Sequence, residues 1–95
     1  MAKSSALVPT EHASKYLQQL CKHWSHRLEV TFDTMQGTVK FPEAVATMSA
    51  REGGLEVTVE SAAAETVERL KGVVSTHLDR FAFREAPLTF EWVDG

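Results

Sequence analysis

One cysteine, Cys21, stands in a chain of 95 residues, so no internal disulfide can form and a reducing cytoplasm is the expected setting. No apolar run approaches the length of a bilayer span, and residues 1–10 lack the long apolar core of a secretory leader, so no membrane partner and no export are expected. An excess of positive charge is missing too. Ten Lys plus Arg stand against thirteen Asp plus Glu, a net −3 that offers no field to hold a nucleic acid. There is no P-loop, no dinucleotide fingerprint, no Ser–His–acid arrangement and no covalent haem attachment motif, so neither a reaction nor a cofactor is indicated. No repeat, low-complexity tract or linker divides the chain. At 43% hydrophobic and 24% charged residues it reads as one globular domain over residues 1–95.

What is present is periodic. Pro9-Thr10 supplies a stop and a Thr N-cap, after which Ala13, Tyr16, Leu17, Leu20, Trp24 and Leu28 recur at helical spacing and predict helix one from Glu11 to Arg27. From Leu28 the period becomes two. Leu28, Val30 and Phe32 define a strand, Thr34 to Gly37 a turn, Val39 and Phe41 a second strand, and Ala44 to Ala50 a third. Arg51-Glu52-Gly53-Gly54 is the clearest turn, and Leu55, Val57 and Val59 make a fourth strand with an acidic outer side. Ser61 is the expected N-cap of helix two, which begins near Ala62 and ends around Ala82 to Arg84, with Val67, Leu70, Val74, Leu78 and Phe81 as its apolar stripe. Pro87 forbids further helix, and Leu88, Phe90 and Trp92 alternate as a final strand. Residues 1–9 form an N-terminal arm or, through Ala6-Leu7-Val8, a short edge strand.

One apolar face per strand places both helices on the same side of the sheet. The expected fold is α+β, a two-layer sandwich of about five mainly antiparallel strands in the order α-β-β-β-β-α-β, with two antiparallel helices.

Most chemically versatile side chains fall in two places. Residues 16–26 and 77–85 hold three of four histidines, the cysteine, one of two tryptophans and two of five phenylalanines. Within them, Ala13-Ser14-Lys15-Tyr16-Leu17, Gln19-Leu20-Cys21-Lys22-His23-Trp24 and His26, then Val73-Val74, His77-Leu78 and Arg80-Phe81-Ala82-Phe83-Arg84-Glu85, resemble the bacterial family catalogued as domain of unknown function 2218. The resemblance runs over nearly the whole chain. It implies no activity, because the family has none established. It does imply a neighbourhood: such domains occur joined to flavin-dependent siderophore-interacting reductases, so siderophore or iron redox proteins are partners by family context only. The chain has no flavin or nicotinamide fingerprint of its own.

Spacing limits the metal chemistry. Cys21 and His23 lie about 200° apart around a helix and cannot chelate one ion, which leaves Cys21 as a small buried hydrophobe. His23 and His26 share a face with Gln19, Tyr16 and His12, and two imidazoles make half a zinc site, with Glu65 and Glu68 expected near that helix end. His77 is expected level with His12 and Tyr16, about 15 Å along the axis from His23, so that the three histidines meet only if the helices cross steeply. Without a metal, such border histidines hydrogen-bond a backbone carbonyl. A haem held axially by His23 or His77 has less support, because no attachment motif accompanies either.

Arg80 and Arg84 flank Phe81 and Phe83 one turn after His77, a spacing that holds a carboxylate or phosphate, with His12, Lys15 and Tyr16 near the same end. The competing reading pairs Arg84 with Glu85 or Asp79 and caps the helix. Two functions remain. One is a binding or accessory module for a small anionic or iron-related ligand, using Tyr16, His23, His26, His77, Arg80 and Arg84. The other is an interaction domain that forms a homodimer or docks through its sheet face or edge.

Overall fold

The structure, a computed structural model, describes residues 2–85 and 88–95. Its elements are β1 (Ala2–Pro9), α1 (Ala13–Trp24), β2 (Glu29–Phe32), β3 (Gln36–Phe41), β4 (Ala44–Arg51), β5 (Gly54–Ser61), α2 (Ala64–Phe81) and β6 (Val93–Asp94). The α-β-β-β-β-α-β order stands, preceded by one further strand. All pairings are antiparallel and the sheet order is β2-β3-β4-β5-β1-β6. Both helices cover one face, α1 over β2 to β5 and α2 over β5 and β1. No helix among the described residues is long and apolar enough to cross a membrane.

The residue pattern explains the layering. Ala44, Ala46 and Met48 on β4 and Leu55, Val57 and Val59 on β5 point into one core with Leu17, Leu20 and Cys21 of α1 and Val67, Leu70, Val74 and Leu78 of α2. Leu17, Leu20 and Leu78 are fully buried, and each such side chain contributes about 1.5–3 kcal/mol relative to exposure. Gly53, at φ 89°, turns β4 into β5 in the left-handed region where a side chain is strained.

Several boundaries differ from expectation. The strand count is six, because the N-terminal segment is an interior strand: β1 pairs with β5 from Ala2↔Ser61 to Pro9↔Gly54 and with β6 at Ser4 and Ser5. Its inward positions are Ser4, Ala6 and Val8, all buried, and the serine disguises the alternation. Helix one ends three residues before Arg27, where Ser25 donates its backbone N–H to Cys21 and its hydroxyl to Lys22 O at 2.7 Å. Thr10 is not its N-cap. His12 takes that position, and its N–H donates to Thr10 Oγ1 at 3.1 Å. Nor does Ser61 cap helix two. It ends β5, donating to Glu43 O and accepting from Ala63 N–H, so it ties the starts of β4 and α2 together. The segment from Leu88 to Trp92 forms no strand. Leu88, Phe90 and Trp92 pack on the core, and only Val93–Asp94 joins the ladder. Pro87, the expected helix stop, lies outside the described residues; α2 closes earlier, with Ala82 N–H on Leu78 O.

Candidate functional site

The two helices run antiparallel, as expected, but their mutual offset is not the expected one. Helix α2 has 18 residues against 12 in α1, about 27 Å against 18 Å. Its first turns lie beside β1 and β6, where Ala64, Val67 and Glu68 line a cleft with Ala2, Lys3 and Asp94. Only its last turns reach α1. His77 therefore meets the end of α1 rather than its start: the His23 and His77 rings are 5.7 Å apart between centroids, not about 15 Å along the helix.

Aromatic rings surround that pair. Phe81 stands edge-on to His23 at 5.8 Å, Trp24 lies 5.3 Å from His77, and Phe41 packs on Trp24 at 5.1 Å. The His77 Nδ1–H donates to Val73 O at 2.7 Å, which fixes the tautomer and leaves Nε2 as the free nitrogen. His26 lies in the exposed turn after α1. Glu68 is at the β1–β6 side, paired with Lys71 at 2.6 Å, and so is no neighbour of the histidines. Among the described residues no group of three or more His, Cys, Asp or Glu side chains can hold a metal ion. Cys21 is fully buried, and desolvation pushes its thiol up to about 11, which keeps it protonated and inert.

A second constellation forms where the start of α1 meets the turn after α2. His12, Lys15 and Tyr16 from one side and Phe81, Phe83, Arg84 and Glu85 from the other line a cleft of about 340 Å³. The Tyr16 hydroxyl donates to Glu85 Oε2, and Thr10 Oγ1 lies 3.0 and 2.9 Å from the two carboxylate oxygens. Glu85 is held below its ordinary value by the Tyr16 hydrogen bond first, with Thr10 and the nearby His12 adding to it. Tyr16 is raised by the same bond, then by burial and the Glu85 charge. Arg84 rests 5.8 Å from the centre of the Phe83 ring.

Tyr16 and Arg84 thus share one cleft, while His23 and His77 share another place one helical turn or more away. Arg80 is exposed and lines neither. The expected common face of Arg80 and Arg84 does not exist, because α2 ends at Phe81 and Arg84 sits in the turn beyond it. Arg84 does not pair with Asp79 either; Asp79 Oδ1 accepts the Leu88 N–H at 2.9 Å. Glu85 as the partner of Thr10 and Tyr16 carried no sequence signal, since contacts across 75 and 69 positions have no period to read.

Comparison with known proteins agrees with this fold. The family model described as "Uncharacterized protein conserved in bacteria (DUF2218)" matches residues 5–93, and the chain belongs to that family. The solved structures include a similar one, the NMR structure of PA4090 from Pseudomonas aeruginosa, with 29% identity and a TM-score of 0.83 over 98% of this chain and 96% of that one. No curated protein matches the chain.

Proposed function

We propose that the domain is a binding module for a small anion, held in the cleft between the start of α1 and the turn after α2. The observation that carries this reading is the set of basic side chains around a carboxylate that is already occupied. Lys15, Arg84 and His12 border the cleft, while the one acidic group there, Glu85, is engaged by Tyr16 and Thr10. Lys15 and Arg84 are exposed and supply two charges with one guanidinium fork, the geometry that suits carboxylate or phosphate oxygens. The Phe81 and Phe83 rings form an apolar wall for the ligand's body. Phosphate, a small polycarboxylate and an anionic iron chelate share this chemistry. His23, His26, His77 and Arg80 stand outside the cleft and are no part of this pocket.

An amide NMR titration with phosphate and with citrate tests the reading. Shifts centred on residues 12–16 and 81–85, saturating with a Kd on the order of 1 mM or tighter, are expected. Lys15→Ala with Arg84→Ala removes them while the rest of the spectrum stays in place. Shifts scattered over all surface lysines, or none at all, overturn it.

A further inference from the structure

The face of the sheet turned away from the helices carries a pattern of its own. Alternation along each strand defines that face, and the pairing registers line its residues up in rows across the strands. The central row runs Ser5↔Thr58↔Thr47↔Thr38↔Thr31, five hydroxyl side chains on β1, β5, β4, β3 and β2 with no charge among them. Ser5 and Thr58 are hydrogen-bonded through their side chains at 3.0 Å. The row beside it runs Lys3↔Glu60↔Val45↔Lys40↔Glu29. Read in either direction from Val45, its charges are opposite in sign at equal distance.

That antisymmetry has a geometric meaning. A two-fold axis lying along β4 carries each row onto itself reversed. It sets Lys3 of one copy against Glu29 of the other, Glu60 against Lys40, and Val45 against Val45. In the central row it sets Thr47 against Thr47, Thr58 against Thr38 and Ser5 against Thr31. In the next row, Glu56 falls against Gln36 and Ser49 against itself. No like charges meet in these three rows; in the fourth outer row Arg51 falls on the axis against its own copy, its guanidinium already paired with Glu56 of its own chain at 2.8 Å. Val45, at 37% exposure, sits on the axis, and Leu7, at 51%, falls over the hairpin of residues 33–36 in the other copy. A random mixture of five charged and neutral positions has no reason to be its own complement.

We propose that the open face of the sheet is a self-complementary surface on which two copies of this chain stack about a two-fold axis along β4. The strands of the two sheets then run nearly aligned, the common sheet-on-sheet arrangement, with an angle of about 30° set by the twist. Five strands of up to eight residues cover about 25 Å by 25 Å, on the order of 600 Å² per copy. A standard interface buries about 800 Å² per partner, so the dimer is weak and forms at high concentration. Its ion pairs are exposed at the edges and set the register more than the strength. This inference is independent of the anion cleft, which lies in the helix layer.

Sedimentation equilibrium of the full chain, up to about 1 mM, tests it, with circular dichroism to verify the fold of each variant. The wild type is expected to pass from monomer to dimer across the series. Lys40→Glu and Glu60→Lys, each alone, bring like charges together and weaken association at least tenfold. The double variant K40E/E60K exchanges the signs on both copies and restores it. Amide shifts of the wild type on dilution give a second reading, expected on outer-face residues of β3, β4 and β5. A wild type that stays monomeric to the top of the range, single variants that dimerise like the wild type, a folded double variant that stays monomeric, or dilution shifts centred on the helices would each overturn the proposal.

Discussion

A Cβ at Gly37 would lie 2.6 Å from Cys21 Sγ and 3.1 Å from Phe32 Cβ, so the close approach of β3 to α1 depends on one missing methyl group. Gly37→Ala is expected to cost about 1–3 kcal/mol in urea unfolding, as overpacking does, and Cys21→Ala in the same chain should recover most of it. Additive losses in that cycle would show that the thiol is not what resists the methyl. The Tyr16–Glu85 pair makes a prediction about pH. Glu85 titrates below its ordinary 4.5, so its stabilisation is complete above that pH and fades as pH falls through the folded value. Tyr16 titrates above its ordinary 10.0, so its part is complete below that pH and is lost as pH rises through the folded value. Tyr16→Phe should flatten both limbs of a stability–pH curve measured by thermal melting, and an unchanged curve would mean that the pair contributes nothing. Sequence placed Tyr16 on the right helix face. For Glu85 it offered only Arg84, which was to pair with either Glu85 or Asp79, because nothing local announces a partner 69 positions away.

At the level of elements, periodicity was a sound guide wherever burial repeated. Helix α1, the four strands between the helices and the stripe of α2 all lie where alternating or helical spacing put them, since the helices and β3 to β5 bury the face that their pattern defines, while on β2 Val30 is half-buried and Phe32 stays exposed. It failed at two ends. In β1 a buried serine interrupts the apolar alternation, and in the last segment three apolar residues alternate but pack against the core without a ladder. The two errors share a cause, because hydrophobic alternation reports burial and only pairing makes a strand. The interior position of β1 carries a prediction. A chain beginning at Thr10 loses eight paired residues with β5, the pairing to β6 and the buried Val8 together. Its loss should exceed the about 5–15 kcal/mol that holds a small domain, so the truncated protein is expected to be unfolded by circular dichroism. A folded truncation would mean that the N-terminal segment is the dispensable edge that its sequence suggests.

For the molecule as a whole, the two proposed surfaces lie in different layers, the anion cleft among the helices and the docking face on the bare side of the sheet. They should therefore be separable. K40E, predicted to weaken association at least tenfold, is expected to leave the phosphate-induced shifts at residues 12–16 and 81–85 unchanged, and K15A with R84A to leave sedimentation unchanged. Coupling in either direction would place the two functions on one surface. The fold class, the antiparallel helices and the shared helix face were determined by the sequence itself, because hydrophobic period, turn residues and chain direction act over a few residues at a time. The helix offset that joins His23 to His77, the Tyr16–Glu85 clamp and the cross-strand rows of the outer face were decided by the tertiary structure alone. Each depends on register between segments far apart in the chain, and a one-residue shift in any strand would turn every side chain on it to the other face.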